Sequence, residues 1–124
     1  MLIKKFTDLD AWKEAHKLTL QIYKYTDLYP KSEEFGLKSQ LRRAVISVES
    51  CIAEGFSRYH YKDRLNFYYD SRGSIAEVQS QLITSRDLKY LSEVKFTEAF
   101  NQSEKAGVVL GGLIRSTEKL IHKV

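Results

Sequence analysis

The chain has 124 residues, 43% hydrophobic and 12% aromatic, with a formal net charge of +4. That is enough apolar material for a single core, so one domain over residues 1–124, and no second, is expected. Segments cut after residues 28, 61 and 92 each carry five Lys/Arg and four Asp/Glu, which excludes a polybasic tail and gives one copy only weak long-range attraction for a polyanion.

The opening Met1-Leu2-Ile3-Lys4-Lys5-Phe6 is too short in its apolar part for a signal peptide and has no small-residue cleavage site. The longest apolar run, residues 108–114, falls far below the roughly 20 residues that span a bilayer. A lone cysteine, Cys51, excludes an internal disulfide and fits a reducing compartment. No membrane association and a cytoplasmic location are expected.

Strand signals are poor, because β-branched residues are scattered and no Asn-Gly type hairpin turn occurs. Helical periodicity dominates instead. A first helix is predicted after Thr7, capped by its hydroxyl with Asp10 three residues on, presenting Trp12, Ala15, Thr19 and Ile22 and stopping before Tyr29-Pro30. The second carries Leu37, Leu41, Ala44, Val45, Val48 and Ile52 and ends at Gly55 as a C-cap. After a loop from Phe56 to about Tyr61, a third helix of about thirty residues, or roughly 45 Å, is predicted to bury Leu65, Tyr68, Tyr69, Ile75, Val78, Leu82 and Ile83.

A short connection around Ser92 leads to the fourth helix. Its seam alternates steps of four and three through Phe96, Phe100, Ser103, Gly107, Leu110, Ile114, Thr117, Ile121 and Val124, supported by Ala99, Ala106, Leu113 and Leu120. Short links favour antiparallel neighbours, so the predicted fold is an all-α, antiparallel up-down-up-down four-helix bundle. The helix-internal Gly73, Gly107, Gly111 and Gly112 would each cost about 1 kcal/mol in an exposed helix, and close approach of a neighbouring helix, from this chain or another subunit, is the expected compensation.

Bundles host metals through inward carboxylates and Glu-x-x-His pairs. Here Glu118 and His122 are four apart, His16, His60 and His122 fall in separate segments, and Met1 is the single methionine, so no metal, haem or other cofactor is expected. Cys51 has no adjacent His to activate it and reads as a packed thiol. No catalytic residues and no enzyme activity are expected.

Arg42, Arg43, Glu54, Arg72 and Glu77 place charge within helices two and three, and the predicted role is pairing across that interface to fix register. Arg58-Tyr59-His60-Tyr61-Lys62 with Arg64, and the stripe Arg115, Lys119 and Lys123, are candidate nucleic-acid contacts, cations neutralising phosphates and tyrosines stacking on bases. The competing reading makes those tyrosines half core and those cations helix C-terminal complements.

The whole pattern resembles a known family. Phe6-Thr7-Asp8-Leu9, Trp12, Ala15, Pro30, Glu34, Gly36-Leu37, Gln40-Leu41-Arg42-Arg43-Ala44, Ser47, Ile52-Ala53-Glu54-Gly55, Phe67, Arg72-Gly73-Ser74, Glu77 and Tyr90-Leu91 follow the order seen in bacterial 23S rRNA intervening-sequence proteins, also labelled S23 ribosomal proteins. Cys51 departs from the pattern, which commonly has Asn there. The resemblance implies a four-helix bundle that often forms a homopentamer, related to accessory proteins of diversity-generating retroelements that bind a reverse transcriptase and nucleic acid. It implies no enzyme activity. Five copies would carry about +20, so an oligomer that binds RNA or an RNA-associated protein is the leading expectation. The alternative is a protein-interaction adaptor with no nucleic-acid contact.

Overall fold

In a computed structural model, described here over residues 2–122, the chain forms α1 (Asp10–Thr26), α2 (Leu37–Ser57), α3 (Tyr61–Asp87) and α4 (Glu93–Ile121). No strand occurs among the described residues. Each helix packs on its neighbours in chain order and α4 returns to α1, which is the antiparallel up-down-up-down bundle.

The core follows the predicted periodicity. Leu18 and Ile22 of α1, Leu41, Val45, Val48 and Ile52 of α2, Tyr68, Val78 and Leu82 of α3, and Leu110 of α4 are almost completely buried. Buried hydroxyls among them find backbone acceptors, as buried polar groups must: Ser71 donates to Val48 O at 2.7 Å, Ser85 to Gln81 O at 2.8 Å and Ser103 to Phe100 O at 2.6 Å. Tyr69, Ile83 and Leu120, expected inside, are at least 38% exposed, because each lies at the edge of its helix's apolar arc. Val124 of the predicted seam lies outside the described residues.

Helix ends differ from expectation in two places. Thr7 does not cap α1; it sits in a 3-10 turn, Phe6–Asp8, and the Asp8 carboxylate accepts from the Lys4 and Lys5 amides at 3.0 and 3.1 Å. Those two amides hold the Asp8 carboxyl below the usual carboxylate range. Gly55 does not end α2 either, since the helix runs on to Ser57. It is a contact glycine: a Cβ there would come within 2.7 Å of the Tyr68 ring and 2.9 Å of Phe67 Cβ. Ser92 caps α4 as a Ser should, its Oγ accepting from Lys95 N at 3.2 Å.

Gly36, just before α2, lets Glu33 fold over the helix start, where Oε1 accepts from Leu37 N at 3.0 Å. The other glycines do not serve close approach within the chain. A Cβ on Gly73 or Gly107 would meet nothing within 4 Å, and the nearest group to one on Gly111 is the Arg115 guanidinium at 3.3 Å.

Candidate nucleic-acid interface

The α2–α3 connection is built around two arginines and four rings. Arg58 ends α2 with its guanidinium 4.7 Å from the centroid of Phe67. Arg64, one turn into α3, donates Nε to Arg58 O at 2.8 Å and lies 4.9 Å from the Phe56 centroid and 5.3 Å from that of Tyr61. Such cation–π contacts hold the corner in one shape. Tyr59 projects from it, 88% exposed, with His60 edge-on at 5.0 Å. Lys62 is exposed and has no ion-pair partner among the described residues.

The antiparallel topology brings the second predicted stripe to the same half of the bundle. Tyr69 OH donates to Glu118 at 3.5 Å, so the last turns of α4 run beside the first turns of α3. Arg115 and Lys119 are therefore in the half of the bundle that carries Tyr59 and Lys62, exposed like them. Lys123 lies outside the described residues. Arg58 and Arg64 each have a ring over the guanidinium, so they brace the corner more than they reach outward, while Lys62, Lys119 and Arg115 carry the accessible charge.

The predicted pairing of Arg42, Arg43, Glu54, Arg72 and Glu77 across α2 and α3 does not form. Arg42 turns the other way, towards α1: Nε donates to Thr26 Oγ1 at 2.9 Å, Nη2 to Tyr23 O and to Asp27 Oδ1 at 3.1 Å each, and the guanidinium covers the Tyr23 ring at 4.4 Å. Glu77 accepts from Gln81 at 3.2 Å, and Arg72 lies over Tyr69 at 5.1 Å. Arg43, Glu54, Arg72 and Glu77 are all exposed and make no ion pair among the described residues. The α2–α3 outer seam is joined by neutral groups instead, Ser74 to Ser47 at 3.0 Å and Gln81 to Gln40 at 3.4 Å.

Charge is used for packing elsewhere. Glu14 on α1 accepts from Gln102 of α4 at 3.0 Å, with Lys17 at 3.3 Å and Lys105 at 3.7 Å; the Gln102 hydrogen bond is the main influence holding its carboxyl below the usual glutamate range. His16 stacks on Trp12 at 4.7 Å and approaches Glu49 of α2 through Nδ1 at 3.2 Å. Sequence reasoning missed both clasps, because the partners are far apart in the chain and only the facing of helices pairs them.

It also missed Phe35, which stands 95% exposed beside a groove of about 430 Å³ lined by Tyr23, Lys38, Arg42, Arg43 and Ile46. Cys51 is half-buried with Sγ 3.6 Å from Ser47 Oγ, and no hydrogen bond to a histidine or carboxylate involves it among the described residues. No three His, Cys, Asp or Glu side chains gather as a metal site among the described residues. No described helix is long and apolar enough to cross a membrane.

Residues 7–112 match the family described as 23S rRNA-intervening sequence protein. A crystal structure of a protein of unknown function from the S23 ribosomal protein family of Bacteroides thetaiotaomicron VPI-5482 shares the fold, with a TM-score of 0.77 at 18% sequence identity, covering 84% of this chain and 97% of the other. No curated protein matches the chain.

Proposed function

The chain belongs to the 23S rRNA-intervening sequence protein family, and from that premise we propose that it is a non-enzymatic, homo-oligomeric module that binds RNA through one half of its bundle. What supports this reading is that Tyr59, His60, Lys62, Arg115 and Lys119 are all exposed in one half of the bundle, the half whose corner Arg58 and Arg64 brace. Lys62, Arg115 and Lys119 neutralise phosphates, and Tyr59 offers a free ring face on which an unpaired base can stack. Single-stranded segments are favoured, because stacking requires a base out of its helix.

Assembly supplies what one copy lacks. A ring of five, the number the family resemblance implies, would raise the charge to about +20 and repeat the binding surface around the ring. The adaptor reading draws on a different observation, Phe35 standing 95% exposed, an aromatic anchor of the kind a protein partner buries.

Fluorescence anisotropy with single-stranded RNA at about 50 mM and about 200 mM salt tests the proposal. Binding should weaken with salt, and Lys62→Glu with Lys119→Glu should weaken it further by at least about tenfold. These two lysines are better probes than Arg58, whose replacement would also release Phe67. Absence of binding at low salt contradicts the RNA reading, and a defined protein partner retained after nuclease treatment would then select the adaptor.

A further inference from the structure

Helical spacing gathers three cations on one flank of α2. Lys38, Arg42 and Ile46 lie four residues apart, with Arg43 beside them, so they share a face of the helix. With Tyr23 of α1 across from them and Phe35 just ahead of the helix, they line the groove of about 430 Å³. The groove runs along the first half of α2, away from the Tyr59 corner. A site here is therefore separate from the proposed RNA surface and can fail without it.

Two of the three cations are held in place. The Arg42 guanidinium lies on the Tyr23 ring, its Nε on Thr26 and its Nη2 on Tyr23 O and Asp27, while Nη1 makes no hydrogen bond among the described residues. The Lys38 side chain is only 13% exposed and pairs with Glu34 at 3.2 Å. Groups fixed in advance lose little freedom when a ligand arrives. Arg43 is exposed and makes no ion pair among the described residues. Glu34 is the one carboxylate against these three cations in the lining, and Asp27 outside it offsets part of the remainder. The groove keeps a positive excess, carried by Arg43.

Apolar side chains flank that charge, Phe35 at 95% exposure on one side and Ile46 at 39% on the other. From Lys38 to Ile46 the helix rises about 12 Å, the length of about four residues of extended chain. A polynucleotide fits this arrangement poorly: its phosphates meet Glu34 as a like charge and find nothing to pair with at Ile46. A peptide with acidic side chains between apolar ones matches both features. Guanidinium groups take carboxylates in a two-point fork, and arginine clusters recognise acidic motifs in this way. Arginine with an exposed aromatic is also the composition of an interface hot spot.

We propose that this groove binds a short acidic segment of a partner protein, its carboxylates on Arg43, Arg42 Nη1 and Lys38 and its apolar side chains on Phe35 and Ile46. The probe is a fluorescein-labelled peptide with the core Leu-Asp-Glu-Leu between Gly-Ser flanks, titrated by anisotropy with the full chain at about 50 mM and about 200 mM salt. Binding should weaken with salt. The neutral peptide Leu-Asn-Gln-Leu should bind at least about tenfold more weakly, Arg43→Glu should weaken the acidic peptide at least about tenfold, and Phe35→Ala at least about threefold. Both side chains are exposed, so the fold should persist, with circular dichroism as the check. No binding of the acidic peptide at the lower salt overturns the proposal. Equal affinity for the neutral peptide, or affinity that survives Arg43→Glu, overturns it too. If the same two substitutions weaken single-stranded RNA as much as the peptide, the groove belongs to an RNA surface and the protein segment is the wrong occupant.

Discussion

The inner and outer sides of the α2–α3 pair are made from the same two helices and treat small residues in opposite ways. Inside, Gly55 is pressed against Tyr68 and Phe67, and Ser71 is buried with its hydroxyl on Val48 O. Outside, Gly73 faces open space, Ser47 and Ser74 form a shallow seam, and Arg43 and Glu77 have no ionic partner among the described residues. A residue that weakens a helix is retained inside because the neighbouring helix requires the room. Outside, no neighbour within the chain gives that reason, so the reason is sought in another molecule.

The contrast breaks most visibly at its inner anchor. Tyr68→Ala empties the space against Gly55 and should destabilise the bundle by about 3–5 kcal/mol in urea denaturation. Gly55→Ala overfills the same space, costing about 1–3 kcal/mol by overpacking, partly offset by about 1 kcal/mol of helix propensity. Ser71→Ala leaves Val48 O without its side-chain donor and should cost about 1 kcal/mol.

The outer glycine should behave with the reverse sign. Gly73→Ala, which meets no atom within 4 Å, should stabilise the isolated chain by about 0.5–1 kcal/mol, measured by thermal melting at a concentration where the protein is dissociated. A destabilising Gly73→Ala under those conditions would erase the distinction between the two sides.

A smaller test contrasts a carboxylate used for packing with one left outside. Glu14 has its carboxyl held below the usual range by Gln102 and its lysine neighbours, so its contribution is fully present above that range and is lost as pH falls through the folded value. Glu14→Gln should therefore flatten part of the acid limb of the stability profile. Glu77→Gln, at an exposed carboxylate without an ion pair among the described residues, should change the stability of the dissociated chain at neutral pH by no more than about 0.5 kcal/mol.

The bundle was legible in the sequence because burial imposes a 3.6-residue period, and Leu41, Val45, Val48 and Ile52 or Leu110 and Ile114 obey it. It was less legible in α3, where the exposed Tyr69 and Ile83 and the buried Ser71 and Ser85 blur the apolar arc. Gly55 read as a stop because glycine commonly follows a helix end; only its distance to Tyr68 reveals its role. The fate of the charges was not legible at all. Arg42 and Arg43 are adjacent in sequence, and a rotation of one residue, about 100°, sends the first to Asp27 just past the end of α1 and leaves the second on the crest. The candidate RNA-binding residues were named from composition, but that they share one half of the bundle needed the antiparallel topology.

The central claim is that this chain acts as an assembly. The mass of the wild-type protein in solution, by sedimentation equilibrium over a wide concentration range, tests it most directly. The account predicts a multiple of the 14.4 kDa chain that is at least twofold. A mass of 14.4 kDa at every concentration would contradict it.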